Sequence, residues 1–185
     1  MADTFKIRFA ARCIASGGIL AYPTEAVYGL GCDPWNAAAV RRLLAIKQRP
    51  ENKGLILIAA DFVQLEPFVE LLDPARMAEI RHTWPGPVTW LLPARAETPA
   101  WLTGEHETLA VRVTAHPLAI DLCRAAGRAL VSTSANLSGR LPARTPLQVR
   151  LRVGPSVDCI LVGSCGDRKR PSTIRDGRTG RPIRT

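Results

Sequence analysis

The chain has few of the residues from which proteins build metal centres or disulfide frameworks. Its 185 residues include five cysteines and three histidines. The cysteines are odd in number, none forms a C-x-x-C pair, and no two histidines stand at metal-ligand spacing. These absences argue against a disulfide-stapled fold and against a transition-metal site built by the protein. We therefore expect reduced, structural thiols and no metal held by protein side chains alone.

Long apolar runs are also missing. The first residues, Met1 to Arg8, lack the apolar core of a signal peptide. No later run approaches the roughly 20 apolar residues that span a bilayer, so we expect a cytoplasmic protein with no membrane partner. The length is typical of one compact domain and no linker divides the chain, which predicts a single domain over residues 1–185.

The common signatures of nucleotide binding and nucleophilic catalysis are absent. There is no G-x-x-x-x-G-K-[ST] loop, and Gly29-Leu30-Gly31 lacks the third glycine of a dinucleotide-binding fingerprint. No Ser-His-Asp or Cys-His order stands out. An enzyme with this sequence must therefore bind phosphates by another device.

Positive charge, in contrast, is abundant and unevenly distributed. The net charge is +9, with 14 basic and 13 acidic residues before position 140 and 11 basic and 3 acidic residues from there on. All but one of these last basic residues are arginines, which suit bidentate contact with phosphate. A polyanionic ligand and a solvated basic face both fit this distribution, and charge alone does not decide between them.

The hydrophobic pattern alternates between strands and helices. Strands are predicted at 18–24, 55–59, 88–92, 109–113, 129–132 and 159–162, and a small hairpin at 172–184. Helices are predicted at 4–16, from the cap Asn36 to about Lys47, within 61–82 with breaks at two prolines, at 116–126 and at 147–153. Several connections look too short for crossovers. We therefore expect an α/β fold with an open, twisted, mixed parallel/antiparallel sheet and flanking helices.

Two segments place polar side chains directly after predicted strands. In Tyr22–Gly31, a proline is followed by the hydroxyl of Thr24 and the carboxylate of Glu25, and two glycines permit close backbone approach. In Ser132–Gly139, hydroxyl and amide side chains follow an apolar strand and could form an anion cradle. A plain turn and a capping turn are the alternative interpretations.

Several cations also stand at informative positions. Lys47 and Arg49 straddle a predicted helix end, with Lys53 in the same loop; they could bind phosphate or simply complement the helix dipole. Arg112 interrupts the apolar run 109–113, so its side chain faces either solvent or an internal anion. Ser172 and Thr173 add two hydroxyls just after Arg168-Lys169-Arg170.

Taken together, these segments resemble the ordered motifs of the YrdC/TsaC family, the threonylcarbamoyl-AMP synthases, in their short, single-domain bacterial form. The resemblance runs from about residue 5 to the carboxyl terminus, and six motifs occur in the family's order. They are Tyr22–Gly31, Lys47-x-Arg49, Trp84–Thr89, Val111–Val113, Ser132–Asn136 and Pro171–Ile174.

The resemblance implies an open α/β fold with a positively charged concave face and a nucleotidyltransferase reaction. L-Threonine, bicarbonate or CO2, and ATP carrying Mg²⁺ would give L-threonylcarbamoyladenylate and diphosphate. The threonine amine would attack CO2, and the carbamate oxygen would attack the α-phosphorus of ATP, so no protein nucleophile is needed. Downstream transfer proteins would then move the threonylcarbamoyl group to adenosine 37 of tRNA, forming t6A.

The resemblance also implies roles for individual residues. The family's K-x-R and S-x-N tetrad around the triphosphate corresponds to Lys47, Arg49, Ser134 and Asn136, which are the implied catalytic residues; Arg49, Ser134 and Asn136 would also bind ATP. Further ATP contacts fall at Lys53, Thr108 and Arg184. Threonine contacts fall at Thr24, Arg112, Ser132 and Ser172.

Two departures from long family members matter. Those members carry a histidine where this chain has Ile58, so one amino-acid contact must differ. Their extra C-terminal domain has no counterpart in this sequence. The loop from Gly139 to Thr145 varies in length within the family, so Arg140 and Arg144 are not assigned to ATP.

Two other functions compete with the enzyme. An RNA-binding module could grip tRNA or rRNA directly through the arginine-rich tail, but aromatic residues are few and no stacking-platform motif is visible. Weak RNA binding could also accompany the enzyme. A carbamoyl-transfer domain of the hydrogenase-maturation type normally comes with zinc-finger and acylphosphatase segments, which this chain lacks.

Overall fold

The computed structural model describes residues 4–168 and 170–184, so Lys169 of the arginine-rich segment lies outside the described residues. The α-helices of this part of the chain are α1 Thr4–Ala15, α2 Ala37–Lys47, α3 Pro74–His82, α4 Ala100–Thr103, α5 Pro117–Ala126 and α6 Pro146–Arg152. The strands are β1 Leu20–Pro23, β2 Tyr28–Gly31, β3 Ile56–Ala59, β4 Val88–Pro93, β5 Thr108–Val113, β6 Leu130–Ser134, β7 Cys159–Ile160, β8 Thr173–Asp176 and β9 Pro182–Arg184. Short 3₁₀ helices span Glu51–Lys53, Phe62–Gln64 and Gly154–Ser156.

The strands of the described residues form one nine-stranded sheet in the order β7-β1-β2-β6-β3-β5-β4-β8-β9. The pairs β1–β7, β3–β5 and β4–β8 are parallel, and the other neighbouring pairs are antiparallel. This arrangement confirms the predicted α/β fold with a mixed sheet flanked by helices. The predicted hairpin near the carboxyl terminus is the β8–β9 pair.

One face of the sheet is covered by the larger hydrophobic core. Side chains alternate along a strand, so Leu109, Val111 and Val113 of β5 all point to this face. Apolar residues of α2, α3 and α6 pack there, including Leu43 and Ile80. The even-numbered residues of β5, among them Arg112, therefore lie on the opposite face.

That opposite face is only partly covered. Helices α1 and α5 pack over one end of it, where Ile14 and Leu122 meet Tyr22, Ile58 and other buried residues in a second core. Ile58 is fully buried and pairs in register with Arg112 on the neighbouring strand. Ile58, the position at which long family members are expected to carry a histidine, is therefore part of this second core. Beyond it, the face carries polar and small side chains and stays open.

Some elements differ from the sequence predictions. Strand β2 was not predicted: glycines, which are depleted in strands, occupy half of Tyr28–Gly31. The region 61–82 contains a 3₁₀ turn and a single α-helix that starts at Pro74. Helix α4 was not predicted. Within the described ranges, no helix has the length and apolar content that crossing a membrane requires.

Candidate active site

A cavity of about 600 Å³ opens on the uncovered part of the sheet. Every residue that the motifs predicted for the site lines it: Thr24, Lys47, Arg49, Lys53, Thr108, Arg112, Ser132, Ser134, Asn136, Ser172 and Arg184. Segments from almost the whole length of the chain therefore converge on one place. The roles of these residues toward ATP and threonine stay predictions.

Small side chains on adjacent strands form the floor of the cavity. Gly29 of β2, Ser132 of β6 and Ala110 of β5 all line it. Ile56 of β3 lies between the last two, paired in register with Ser132 on one side and with Ala110 on the other. Gly29, Ala110 and Ser132 have short side chains or none, so the sheet surface is hollow around Ile56, whereas large residues fill the same face under α1 and α5.

The end of α2 positions two of the cations. Asn36 caps the start of the helix, where its side-chain oxygen accepts a hydrogen bond from Ala39 N at 3.0 Å. At the other end, Gln48 adopts a left-handed conformation with φ 51°, and the Arg49 N–H donates to Leu44 O at 3.0 Å, which closes a Schellman motif. Lys47 is thus the last helical residue, and Arg49 is the first residue after the turn.

The Lys47 ammonium is buried and fully engaged. Its side-chain nitrogen donates to Ser134 O at 2.5 Å, Asn136 O at 3.0 Å and Asn136 Oδ1 at 3.1 Å, and only 4% of the residue is exposed. Burial and, to a lesser extent, the nearby charge of Arg49 lower the pKa of Lys47 to about 8. Lys47 therefore holds the strand exit after β6 in place with its own hydrogen bonds.

Asn136 completes this cluster. Ser134 Oγ donates to Asn136 Oδ1 at 2.5 Å, and the Asn136 side-chain amide donates to Leu137 O at 2.9 Å and Arg140 O at 2.6 Å. The amide group thus ties Lys47 to the loop that follows. The side-chain donors of Ser134 and Asn136 are therefore used within the protein, where they fix the loop after β6. The anion-cradle interpretation of Ser132–Gly139 stays a prediction.

Arg49 lies at the cavity wall next to the 3₁₀ turn Glu51–Lys53. Its guanidinium donates to Lys53 O at 3.2 Å and Gly54 O at 3.0 Å, while its buried Nε has no hydrogen-bond partner. Burial lowers the pKa of Arg49 below its ordinary value. The remaining donors of this side chain are free to meet a ligand oxygen.

Arg112 faces an internal anion, which is one of the two alternatives left open by the sequence. Its Nη1 lies 3.3 Å from Glu25 Oε2, and the two side chains are 10% and 9% exposed. Burial alone would raise the pKa of Glu25, but Arg112 and hydrogen bonds from Thr114 and Ala115 outweigh it, so the pKa is lowered. Arg112 Nε and Glu25 Oε2 have no hydrogen-bond partner, although both are buried.

Thr24 stands at the exit of β1. Its hydroxyl donates to Val27 O at 2.7 Å, which closes the turn between β1 and β2. Ser132 lies beside it on the cavity floor, and the hydroxyl of Tyr22 is buried in the same corner. Burial raises the pKa of Tyr22, so this phenol stays protonated.

The β8–β9 hairpin closes the opposite side of the cavity. Ser172 Oγ accepts a hydrogen bond from the buried Thr89 hydroxyl at 2.9 Å, and Arg184 donates to Ser172 O at 3.1 Å. Burial lowers the pKa of Arg184, and the positive charges of Arg112 and Arg49 lower it further. Arg184 is therefore close enough to Arg112 and to Arg49 to be repelled by both, and an anion bound beside it would relieve that repulsion.

Sequence reasoning did not assign Arg168 and Arg170, which also line the cavity. The segment that carries them runs along the β1–β2 turn, where Gly166 N donates to Thr24 O and Arg168 N donates to Glu25 O. A Cβ on Gly166 would lie 2.7 Å from Glu25 O, so the close approach requires glycine. The arginine-rich tail was the available signal, but it does not say which arginines face inward. Arg140 does not line the cavity, and Arg144 donates to Arg168 O at 3.4 Å.

The cavity is strongly cationic. Among the described residues, its lining includes the cations Lys47, Arg49, Lys53, Arg112, Arg168, Arg170 and Arg184, and Glu25 is the single carboxylate. No group of three or more His, Cys, Asp or Glu side chains in the described ranges could hold a metal ion. The arrangement is thus suited to binding a polyanion and to stabilising negative charge that develops on it.

Known proteins resemble this chain over nearly its whole length. The model of the Sua5/YciO/YrdC family, described as "Telomere recombination", matches residues 12–185. A threonylcarbamoyl-AMP synthase of Nitrosococcus oceani is 59% identical over 180 residues, which cover 97% of this chain and 97% of the relative. A second one, from Halorhodospira halophila, is 56% identical and covers 97% of this chain and 94% of the relative.

A solved structure gives the same fold. The crystal structure of P. abyssi Sua5 complexed with L-threonine is 34% identical, with a TM-score of 0.91. The match covers 98% of this chain and 54% of that one, so this chain spans about half the length of the archaeal protein. On the family match, the two high identities and the shared fold, the chain belongs to the Sua5/YciO/YrdC family.

Proposed function

We propose that this protein is a threonylcarbamoyl-AMP synthase, which forms L-threonylcarbamoyladenylate and diphosphate from L-threonine, bicarbonate or CO2, and ATP. The observation that carries the proposal is the convergence of the motif residues on one cationic cavity. Relatives that are 59% and 56% identical over nearly their whole length bear this enzyme name.

The cavity divides into two parts in this proposal. Arg49, Lys53 and the loop held by Lys47 and Asn136 bind the triphosphate of ATP, with Thr108 and Arg184 at the rim. Arg112, Thr24, Ser132 and Ser172 bind threonine. Support comes from part of the geometry: Lys47, Arg49 and Asn136 lie around the α2 end and the β6 exit, whereas Arg112 pairs with Glu25 just after β1. Ser172 lies on the other side of the cavity, where it contacts Thr89 and Arg184.

Catalysis then rests on positioning and charge stabilisation. The cations hold two anions, the carbamate and the triphosphate, within reach of each other, and positive charge offsets what develops as the carbamate oxygen attacks the α-phosphorus. Diphosphate leaves toward the same cationic wall. None of the steps needs a protein nucleophile.

The site is suited to Mg²⁺ that enters bound to ATP rather than to a metal ion held by protein side chains. The described residues supply one carboxylate to the cavity and no cluster of metal ligands, whereas Mg²⁺ is commonly bound through substrate phosphates. When bound, the ion would neutralise part of the charge on the phosphates. Its presence in the reaction stays a proposal.

Downstream, the adenylate would be consumed by proteins that transfer the threonylcarbamoyl group to tRNA. We also propose a cytoplasmic location, ATP as the nucleotide and weak direct binding of RNA. They follow from the sequence motifs and from the enzyme name of the relatives.

One assay tests the proposal. The pure protein is incubated with ATP, Mg²⁺, bicarbonate and labelled L-threonine, and threonine-dependent diphosphate and labelled adenylate are measured. We expect both products, and neither when bicarbonate or threonine is withheld. Absence of product, together with tight and salt-sensitive tRNA binding, would favour the RNA-binding module instead.

A further inference from the structure

Gly29 occupies a strand position at which the backbone does not require glycine. It lies in β2, paired on both sides with β1 and β6, and it is not among the glycines with positive φ. Gly31, two residues further on, differs. A Cβ there would lie 2.5 Å from Val131 O and 2.8 Å from the Tyr22 ring, so close packing requires glycine at position 31. Neither the backbone conformation nor a clash of this severity requires glycine at position 29.

The surroundings of Gly29 suggest what the missing side chain leaves open. A Cβ at this position would meet Tyr22 Cζ at 3.3 Å, Thr24 Cγ2 at 3.4 Å and Ser132 Oγ at 3.5 Å. One of these contacts is tight and the others are ordinary, so an alanine would fit after shifts of a few tenths of an ångström. Gly29 itself lines the cavity.

Two of the three neighbours, Thr24 and Ser132, are the residues proposed to bind threonine. Their methyl group and hydroxyl lie 3.4 and 3.5 Å from the place that a Cβ on Gly29 would take. A ligand carbon that enters this gap would touch the Thr24 methyl, and a ligand hydroxyl there would come within reach of Ser132 Oγ.

We propose that Gly29 is a specificity-determining residue, because the bare backbone at this position leaves room for the methyl and hydroxyl groups on the β-carbon of threonine. This inference rests on the proposed function. A methyl group at position 29 would take part of that room and would disfavour a branched β-carbon more than an unbranched one. The triphosphate part of the cavity, around Lys47 and Arg49, would not be affected.

The test compares Gly29→Ala with the wild type for L-threonine and L-serine, which lacks the methyl group. We expect kcat/KM for threonine to fall by about tenfold, which is the scale of discrimination that one methyl group gives in a fitted pocket. The loss of kcat/KM for serine should be smaller, and the KM for ATP should stay within about twofold of the wild-type value. Gly154→Ala is the matched control, because its Cβ would make ordinary contacts at 3.6 and 3.7 Å and Gly154 does not line the cavity. It should leave all of these parameters unchanged.

The outcomes separate this inference from the proposed function. A wild type that makes no adenylate from threonine refutes the proposed function and this inference with it. An active wild type whose threonine-to-serine ratio is unchanged in Gly29→Ala refutes the inference alone. An equal loss for threonine, serine and ATP would also overturn it, since a merely structural role would give that result.

A second measurement covers a Gly29→Ala variant that fails to fold. The shift in Tm of the wild type is recorded with L-threonine, L-serine and L-3-hydroxyvaline, which carries one methyl group more on its β-carbon. We expect threonine to stabilise the protein most and 3-hydroxyvaline to have little effect. Equal shifts for threonine and 3-hydroxyvaline would show that the gap does not fit the side chain closely, and the inference would be wrong.

Discussion

Arg112 and Glu25 form an ion pair inside the protein, with 3.3 Å between Nη1 and Oε2 and nearly complete burial of both side chains. The carboxylate is itself fixed by hydrogen bonds from Thr114 Oγ1 at 2.8 Å and Ala115 N at 3.0 Å. The cation proposed to meet the carboxylate of threonine is thus already neutralised and oriented by the fold. Such a pair is sensitive to loss of one member, because the other charge is then buried alone.

Glu25→Gln should therefore destabilise the protein. We expect the free energy of unfolding to fall by about 3 kcal/mol, because Arg112 loses its counter-charge while the shape of the side chain is kept. Urea unfolding at neutral pH measures the change. Glu97→Gln is the control: Glu97 pairs with Arg95 on the surface, so its loss should cost less than about 1 kcal/mol.

The same ion pair predicts an acid dependence of stability. The pKa of Glu25 lies below its ordinary value of 4.5, so the folded state binds fewer protons than the unfolded state in this range. The contribution of Glu25 is present above the unfolded pKa and is lost as the pH falls through the lower, folded pKa. The wild type should lose more unfolding free energy below pH 4.5 than Glu25→Gln does; parallel curves would contradict the assignment.

The two parts of the cavity should separate in kinetics. The double variant Arg112→Met/Glu25→Gln removes both buried charges, so it tests the threonine side without leaving one charge alone. We expect about a hundredfold lower kcat/KM for threonine, as loss of roughly 3 kcal/mol of transition-state stabilisation would give, with little change in ATP affinity. Arg49→Ala should weaken ATP binding and leave kcat/KM for threonine at saturating ATP almost unchanged.

Steady-state kinetics with each substrate varied in turn, together with ATP titration by calorimetry, measure both effects. Arg95→Ala, an exposed arginine outside the cavity, controls for loss of positive charge. Equal losses toward both substrates in each variant would mean that the proposed division of the cavity is wrong.

Lys47 should make ATP binding depend on pH in the alkaline range. Its pKa is lowered to about 8 by burial and by Arg49, so the ammonium loses its charge as the pH rises through that value. Attraction for the triphosphate and the hydrogen bonds to Ser134 and Asn136 should weaken together. We expect the Kd for ATP to rise by about tenfold between pH 7.5 and 9.5, because the triphosphate then loses its attraction to one nearby positive charge.

In Lys47→Met, ATP should bind more weakly at every pH, and the step near pH 8 should be gone. The Tm of each protein at pH 9.5 shows whether unfolding accounts for the loss. A step that persists in Lys47→Met would assign the titration to another group.

The turn that separates Lys47 and Arg49 should respond to substitution at Gln48. Gln48 is exposed and adopts φ 51°, a conformation that is strained for residues with a Cβ. Gln48→Gly should raise the free energy of unfolding by about 1 kcal/mol and leave ATP affinity unchanged. Gln48→Val should lower stability and weaken ATP binding, because a β-branched residue resists this conformation and would displace both cations. Equal stability of the two variants would refute the strain argument.

Local features of the fold were predictable because they depend on neighbouring residues. The Asn36 cap, the end of α2 at Lys47 and the inward-facing Leu109, Val111 and Val113 all follow from side-chain type and spacing. Strand β2 was missed because its residues have low intrinsic strand propensity, and the strand is stabilised by its pairing with β1 and β6 on either side. The inward orientation of Arg168 and Arg170 was missed because it depends on how their segment crosses the β1–β2 turn.

By itself, the sequence determined which chemical groups the protein has and the order in which they occur: hydroxyls after strands, cations at a helix end and an arginine-rich tail. The tertiary structure decided which of them meet. Strands β2, β6, β3 and β5 are neighbours in the sheet although none of these pairs is consecutive in the chain. The pairing of Arg112 with Glu25 and the gap beside Gly29 therefore arise only when the sheet assembles. Contacts between residues distant in sequence are set by the packing of the whole domain, which no local pattern encodes.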